Sequence, residues 1–243
     1  MNKSLDALID SSPHLWRGGR AASAVDVLAT GFSELDQALP GKGWPWGAVV
    51  ELFLPAMGIG EVRLLLQAIV RISRSCRYVL MIDTPYRPYA PALLAAGIDP
   101  DYVLIVSPDS LSDALWSAEK ALANRACGMV LLWHDDRRKE ARSRIDPHSV
   151  RRLQVAAQTG HSLLFFYRRI DPRRTAVVQQ HSWAAVRLLL SGAGEDRLGI
   201  EILKARGGCK CTSITVNIEH GLSRWHSSTP SPGGRGNLLC RDR

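Results

Sequence analysis

The sequence predicts an α/β fold, with a mainly parallel central sheet, helices on both faces and antiparallel strands at one edge. Three observations carry this expectation. Predominantly apolar runs at Ala48 to Leu54, Tyr78 to Ile82, Val103 to Val106, Met129 to Trp133 and Ser162 to Tyr167 have the length and pattern of strands buried on both sides. Stretches with helical spacing of apolar residues separate them, which is the strand–helix rhythm of a parallel sheet. Ala184 to Leu190, Leu198 to Leu203 and Thr212 to Ile218 then alternate apolar and polar residues without an intervening helix, as antiparallel edge strands do.

Taken in order, residues 1–29 read as a short helix and arm around Leu15-Trp16-Arg17-Gly18-Gly19-Arg20. Gly31, Pro40, Gly41, Gly43, Pro45 and Gly47 make 30–47 turn-rich, with Phe32, Leu35 and Leu39 spaced for a turn or two of helix. The first strand follows, then a glycine loop from Pro55 to Gly60, then a helix with Val62, Leu65, Leu66, Ile69 and Val70 on one face. Further helices are predicted over Ala90 to Ala96, Ser110 to Asn124 and Ser149 to Gln158. The α/β domain spans 30–219. The tail at 220–243 is basic, and Ser227 to Gly236 lacks the apolar residues to build a core, so it is expected to be disordered.

Composition narrows the function classes. Of the 243 residues 46% are hydrophobic, enough for a substantial core, and no apolar run approaches the roughly 18 residues that span a bilayer. The N-terminus carries Asp6 and Asp10 where a signal peptide would be apolar, so a soluble cytoplasmic protein is expected. Five unevenly spaced cysteines do not make a secreted disulfide framework, and Cys209 with Cys211 lacks the second pair that zinc would need. With 31 Lys and Arg against 23 Asp and Glu, the net charge of +8 favours polyanions or acidic protein faces.

A strand, glycine loop and helix in this order call for comparison with the phosphate-binding loop GxxxxGK[ST]. Thr30-Gly-Phe-Ser-Glu-Leu-Asp36, Gly43-Trp-Pro-Trp-Gly47, Val49-Val-Glu-Leu-Phe53, Tyr78 to Asp83, Ala96 to Asp99 and Val186-Arg187-Leu188 together resemble RecA-like recombinases over about residues 25 to 218. The resemblance implies that Gly58 and Gly60 belong to a degenerate phosphate loop, with Gly60 where the family has its Lys and Glu61 where it has Ser or Thr. Ala56 stands at the position of the water-activating Glu, and Trp133 at that of the metal-holding Asp. His134-Asp135-Asp136 is the alternative source of a displaced acid. Two like charges about 4 Å apart repel by about 4 kcal/mol at an effective dielectric of about 20, so Glu61 would oppose a triphosphate. The expectation is a pseudo-ATPase with no cofactor and no metal.

Within that superfamily, Leu15-Trp-Arg-Gly18, Leu132-Trp133, Arg151 to Ala157 with Gly160, Phe165-Phe-Tyr-Arg168, Ser182 to Leu188 and Leu203 to Gly207 resemble the ImuA family. The resemblance implies an accessory protein of SOS-induced, error-prone translesion synthesis that associates with ImuB, a DnaE-type error-prone polymerase and RecA, on the nucleoid when assembled. A SulA-like inhibitor binding FtsZ is the alternative. Arg137, Arg138, Arg142 and Arg144, and likewise Arg168, Arg169, Arg173 and Arg174, fall where RecA has its DNA-binding loops, and are candidates for phosphates or an acidic face. Arg151 and Arg152 open a helix as candidate partner contacts. Lys204 and Arg206 lie where RecA filaments present cations across a subunit boundary, which implies a protein able to cap a filament. Trp16 and Trp225 are candidate partner anchors. Trp44 and Trp46 fall in turns, while Trp116, Trp133 and Trp183 read as core fillers.

Overall fold

The computed structural model describes residues 26–135, 145–171, 173, 176–208 and 213–218. A short ladder pairs β1 (Val27–Leu28) with β2 (Trp44–Pro45), enclosing α1 (Ser33–Ala38). The main sheet then takes β3 (Ala48–Leu54), β4 (Tyr78–Ile82), β5 (Val103–Val106), β6 (Cys127–Asp135), β7 (Leu163–Arg169), β8 (Val186–Gly192), β9 (Arg197–Ala205) and β10 (Ser213–Asn217). Between them run α2 (Leu66–Arg74), α3 (Ala90–Ala95), α4 (Leu111–Ala123), α5 (Pro147–Gly160) and α6 (Ala176–Gln179). The spatial order is β10-β9-β8-β3-β7-β6-β4-β5. Every pairing from β8 across to β5 is parallel, and β9 and β10 are antiparallel, as the apolar and alternating runs predicted. Among the described helices none is long and apolar enough to cross a membrane.

Period-two alternation sends the side chains of each strand to two cores. Val50, Leu52 and Leu54 of β3, Leu131 and Trp133 of β6, and Phe165 and Tyr167 of β7 pack with α1 and α2. Val49, Val130, Leu132, Leu164 and Phe166 pack on the other face with α4 and α5. Local chemistry starts these helices: Ser110 Oγ accepts the Asp113 N–H to cap α4, and Asp146 accepts the His148 N–H ahead of Pro147 to cap α5. A Cβ on Gly160 would stand 1.9 Å from the Leu122 carbonyl oxygen, so the close approach of α4 and α5 requires glycine there. Gln154 fixes α5 to the sheet: its Nε2 donates to the Gly47 carbonyl at 2.8 Å, and its Oε1 accepts the Val49 N–H at 3.0 Å.

Several tryptophans sit differently from the expectation. Trp44 is fully buried, edge-on to Phe165 at 5.1 Å, because β2 folds it onto the core. Trp116 and Trp183, read as core fillers, are 59% and 45% exposed, since α4 and the segment ahead of β8 turn those positions outward. Cys76, just after α2, is disulfide-bonded, while the Cys127 thiol is free and buried, which pushes its pKa up to about 11.

Candidate functional site

The glycine loop leaves β3 at the centre of the sheet, between β7 and β8. Gly58 and Gly60 both take left-handed conformations, with φ of +83° and +101°, and the chain forms a 3-10 turn at Arg63–Leu65 before α2 begins at Leu66. Glu61 is buried and folds back on the loop: the Gly58 N–H donates to Oε1 at 2.9 Å and Oε2 at 3.1 Å. The acid therefore occupies an amide of its own loop. A Cβ at Gly60 would lie 2.2 Å from Ile218 Cδ1, because the end of β10 packs over this position. Met57, Ile59 and Val62 pack against the core beside it, and Ala56 is half-buried.

Beneath the loop, Trp133 and Tyr167 stack with ring centres 4.7 Å apart and planes 17° apart. The Tyr167 hydroxyl donates to the Glu61 carbonyl at 3.2 Å, and its pKa is raised well above the usual phenol value by burial and by the Glu61 charge. The Trp133 indole N–H is buried with no acceptor among the described residues. Asp135, further along β6, lies 3.8 Å from Arg169.

A second polar cluster lies on the opposite face. Glu51, embedded in β3, accepts from Arg168 Nη1 and from Arg187 Nε, each at 2.8 Å, and all three side chains are buried. Burial alone would raise the Glu51 pKa, but the two guanidiniums outweigh it and hold the carboxyl below its usual range. Arg187 also donates to the carbonyls of Val177, Val178 and Gln180, so the charge cluster anchors α6 and the chain after it. The Phe53 ring lies 5.3 Å from the Arg168 guanidinium and 4.9 Å from that of Arg187.

The candidate arginines thus divide. Arg168 is not a surface cation, because its β7 position faces inward onto Glu51. Arg169 is partly exposed beside Asp135, and Arg173 is exposed. Arg152 is exposed and ion-paired with Glu119 of α4, its Nε donating at 3.0 Å. Arg151 instead lies over the exposed Trp183 ring, 4.9 Å from its centre. Lys204 is half-buried and Arg206 exposed, both at the end of β9. Trp16, Arg137, Arg138, Arg142, Arg144, Arg174, Cys209, Cys211 and Trp225 lie outside the described residues. Sequence reading missed Glu51, although an acid within an otherwise apolar buried strand signals a buried counter-charge.

The strand order, the antiparallel edge and the glycine loop after the central strand define an α/β domain of RecA-like architecture. The chain is similar to the RecA proteins of Acidothermus cellulolyticus, at 30% identity over 115 residues, and Tropheryma whipplei, at 30% over 108. It is also similar to RecA of Streptococcus pyogenes, at 28% over 115 residues. These matches cover 47%, 44% and 47% of this chain and 33%, 24% and 30% of the respective RecA, and they support a RecA-like lineage. The chain spans a third or less of the length of these relatives. No protein-family profile matches it.

Proposed function

We propose that this RecA-like domain is a pseudo-ATPase that works by binding proteins, as an accessory factor of SOS-induced, error-prone translesion DNA synthesis. Its partners in this reading are ImuB, a DnaE-type error-prone polymerase and RecA. The reading rests on one observation above all: the Gly58 amide is taken by the Glu61 carboxylate, and Ile218 fills the space beside Gly60. A phosphate-binding loop holds its ligand with free backbone amides and a cation reaching the outer phosphates. Here an anion supplied by the chain competes for the amide, and a side chain at position 60 would meet Ile218 Cδ1 and strain a left-handed backbone. The stacked Trp133 and Tyr167 put aromatic rings at the position where the resemblance to RecA-like recombinases implies a metal-holding Asp.

A recombinase-shaped surface without nucleotide turnover suits an adaptor. It can add to the end of a RecA filament and stop its growth, while other surfaces hold the polymerase accessory. The segments that resemble the ImuA family, including Arg151 to Ala157 and Leu203 to Gly207, support the choice of partners. The test is anisotropy of a fluorescent ATP analogue with magnesium at millimolar nucleotide, alongside affinity capture of the tagged chain from DNA-damaged cells. No saturable nucleotide binding is expected, together with recovery of RecA, ImuB and DnaE-type polymerase. Saturable binding of the analogue would turn the reading toward an enzyme.

A further inference from the structure

Cations converge on the short segment at 180–185, between α6 and β8. Lys204 Nζ donates to the Ser182 carbonyl at 2.7 Å, and Arg187 Nη1 donates to that of Gln180 at 3.0 Å. The Arg206 backbone N–H donates to the Ala185 carbonyl at 2.8 Å, and its charge acts on Lys204. Arg151 approaches from α5, its guanidinium over the Trp183 ring, and His181 meets that ring edge-on at 5.7 Å. Among the described residues, the carboxylate that touches this group is Glu51, already shared between two buried guanidiniums, so that positive charge is in excess there. Lys204 registers the crowding: burial lowers its pKa, and Arg187 and Arg206 lower it further against the opposing pull of Glu51.

At the centre stands an indole that is 45% exposed although the fold has a second core close by. An exposed Trp beside exposed guanidiniums is the composition of a binding hot spot. We propose that Trp183, with Arg151, Lys204 and Arg206 around it, docks an acidic segment of a partner protein. An apolar or aromatic side chain of that segment sits on the indole, and its carboxylates meet the forked donors of the arginines. Charge complementarity sets the sign of the partner, and the layout sets its class. Unpaired nucleic acid is held by a track of accessible cations and by several aromatic rings that stack successive bases. Here the described face offers one exposed indole, with Arg151 and Arg206 as its exposed cations and Lys204 half-buried. The inference deepens the adaptor reading and rests on it only in taking protein as the partner.

The probe is a short fluorescein-labelled peptide of Asp and Glu with one central Phe, titrated with the full chain and followed by anisotropy. Saturable binding is expected, weakened about tenfold or more by Trp183→Ala and by Arg206→Glu, and weakened also when the Phe of the probe is replaced by Ala. Arg151→Glu should act in the same direction, and the thermal melts of all three variants should match the parent. Absence of saturable binding, or undiminished binding by the Trp183→Ala variant, would overturn the proposal. So would tighter binding of an oligothymidylate of equal charge, which would assign the face to nucleic acid. Nucleotide binding in the ATP-analogue experiment would end the pseudo-ATPase reading without altering the peptide result, so the two failures are distinguishable.

Discussion

Replacing Glu51 with Gln keeps the side-chain shape but removes the carboxylate to which two buried guanidinium groups, of Arg168 and Arg187, both donate. Breaking a buried ion pair by removing one partner costs about 3 to 5 kcal/mol, because the remaining charge has lost both water and its ion. With a urea dependence of about 2 to 3 kcal/mol per molar, the unfolding midpoint should fall by about 1 to 2.5 M. Urea titration followed by circular dichroism measures it. A companion variant, Glu51→Leu with Arg168→Met and Arg187→Met, removes all the charges and should recover much of the loss. Its recovery should be incomplete, since Arg187 also holds the carbonyls of Val177, Val178 and Gln180. Acid gives an independent check. The Glu51 pKa is lowered in the folded chain, so its contribution is fully present above the unfolded carboxyl pKa of about 4.3 and is lost as pH falls through the lower folded value. A midpoint shift below about 0.3 M for Glu51→Gln, well under the cost of a broken buried pair, would refute the account of this cluster.

Two further outcomes follow from the packing. Gly160→Ala would place a methyl 1.9 Å from the Leu122 carbonyl oxygen, so α4 and α5 must separate; a loss of about 2 kcal/mol or more is expected, visible as a lower Tm. The Cys127 thiol, buried with its pKa pushed up to about 11, should resist iodoacetamide in the native chain near pH 8 and react promptly in denaturant, as peptide mass spectrometry can follow.

Most parallel strands were legible because residues buried on both faces leave little choice of side chain, and the change to alternation marked the antiparallel hairpin of β8 and β9; β5 read as buried too, yet it is the edge strand and exposes Leu104 and Ile105. The glycine loop was legible from Gly58 and Gly60, and the acid at 61 from its place after them. How that acid is held was not, since the Gly58 amide and Ile218 come together only when the chain folds. Arg168 was misjudged for a related reason. A cation at the end of an apolar run looks like the start of a loop, and its partner Glu51 lies 117 residues earlier. Trp44 shows the converse: flanked by Gly43 and Pro45 it reads as a turn, yet pairing with Leu28 turns its ring inward. Trp116 and Trp183 went the other way, because apolar character alone does not say which side of a helix or strand faces water. The grouping of Arg151, Lys204 and Arg206 around one indole has no signature along the chain at all.

The seating of Ile218 against Gly60 joins positions separated by most of the domain. During synthesis, the loop after β3 emerges early but stays uncovered until β10 has left the ribosome and added to the far edge of the sheet. Completion of this corner is therefore tied to β10 and the residue after it, and a chain cut short before them would carry its central loop open to water and to any anion in reach.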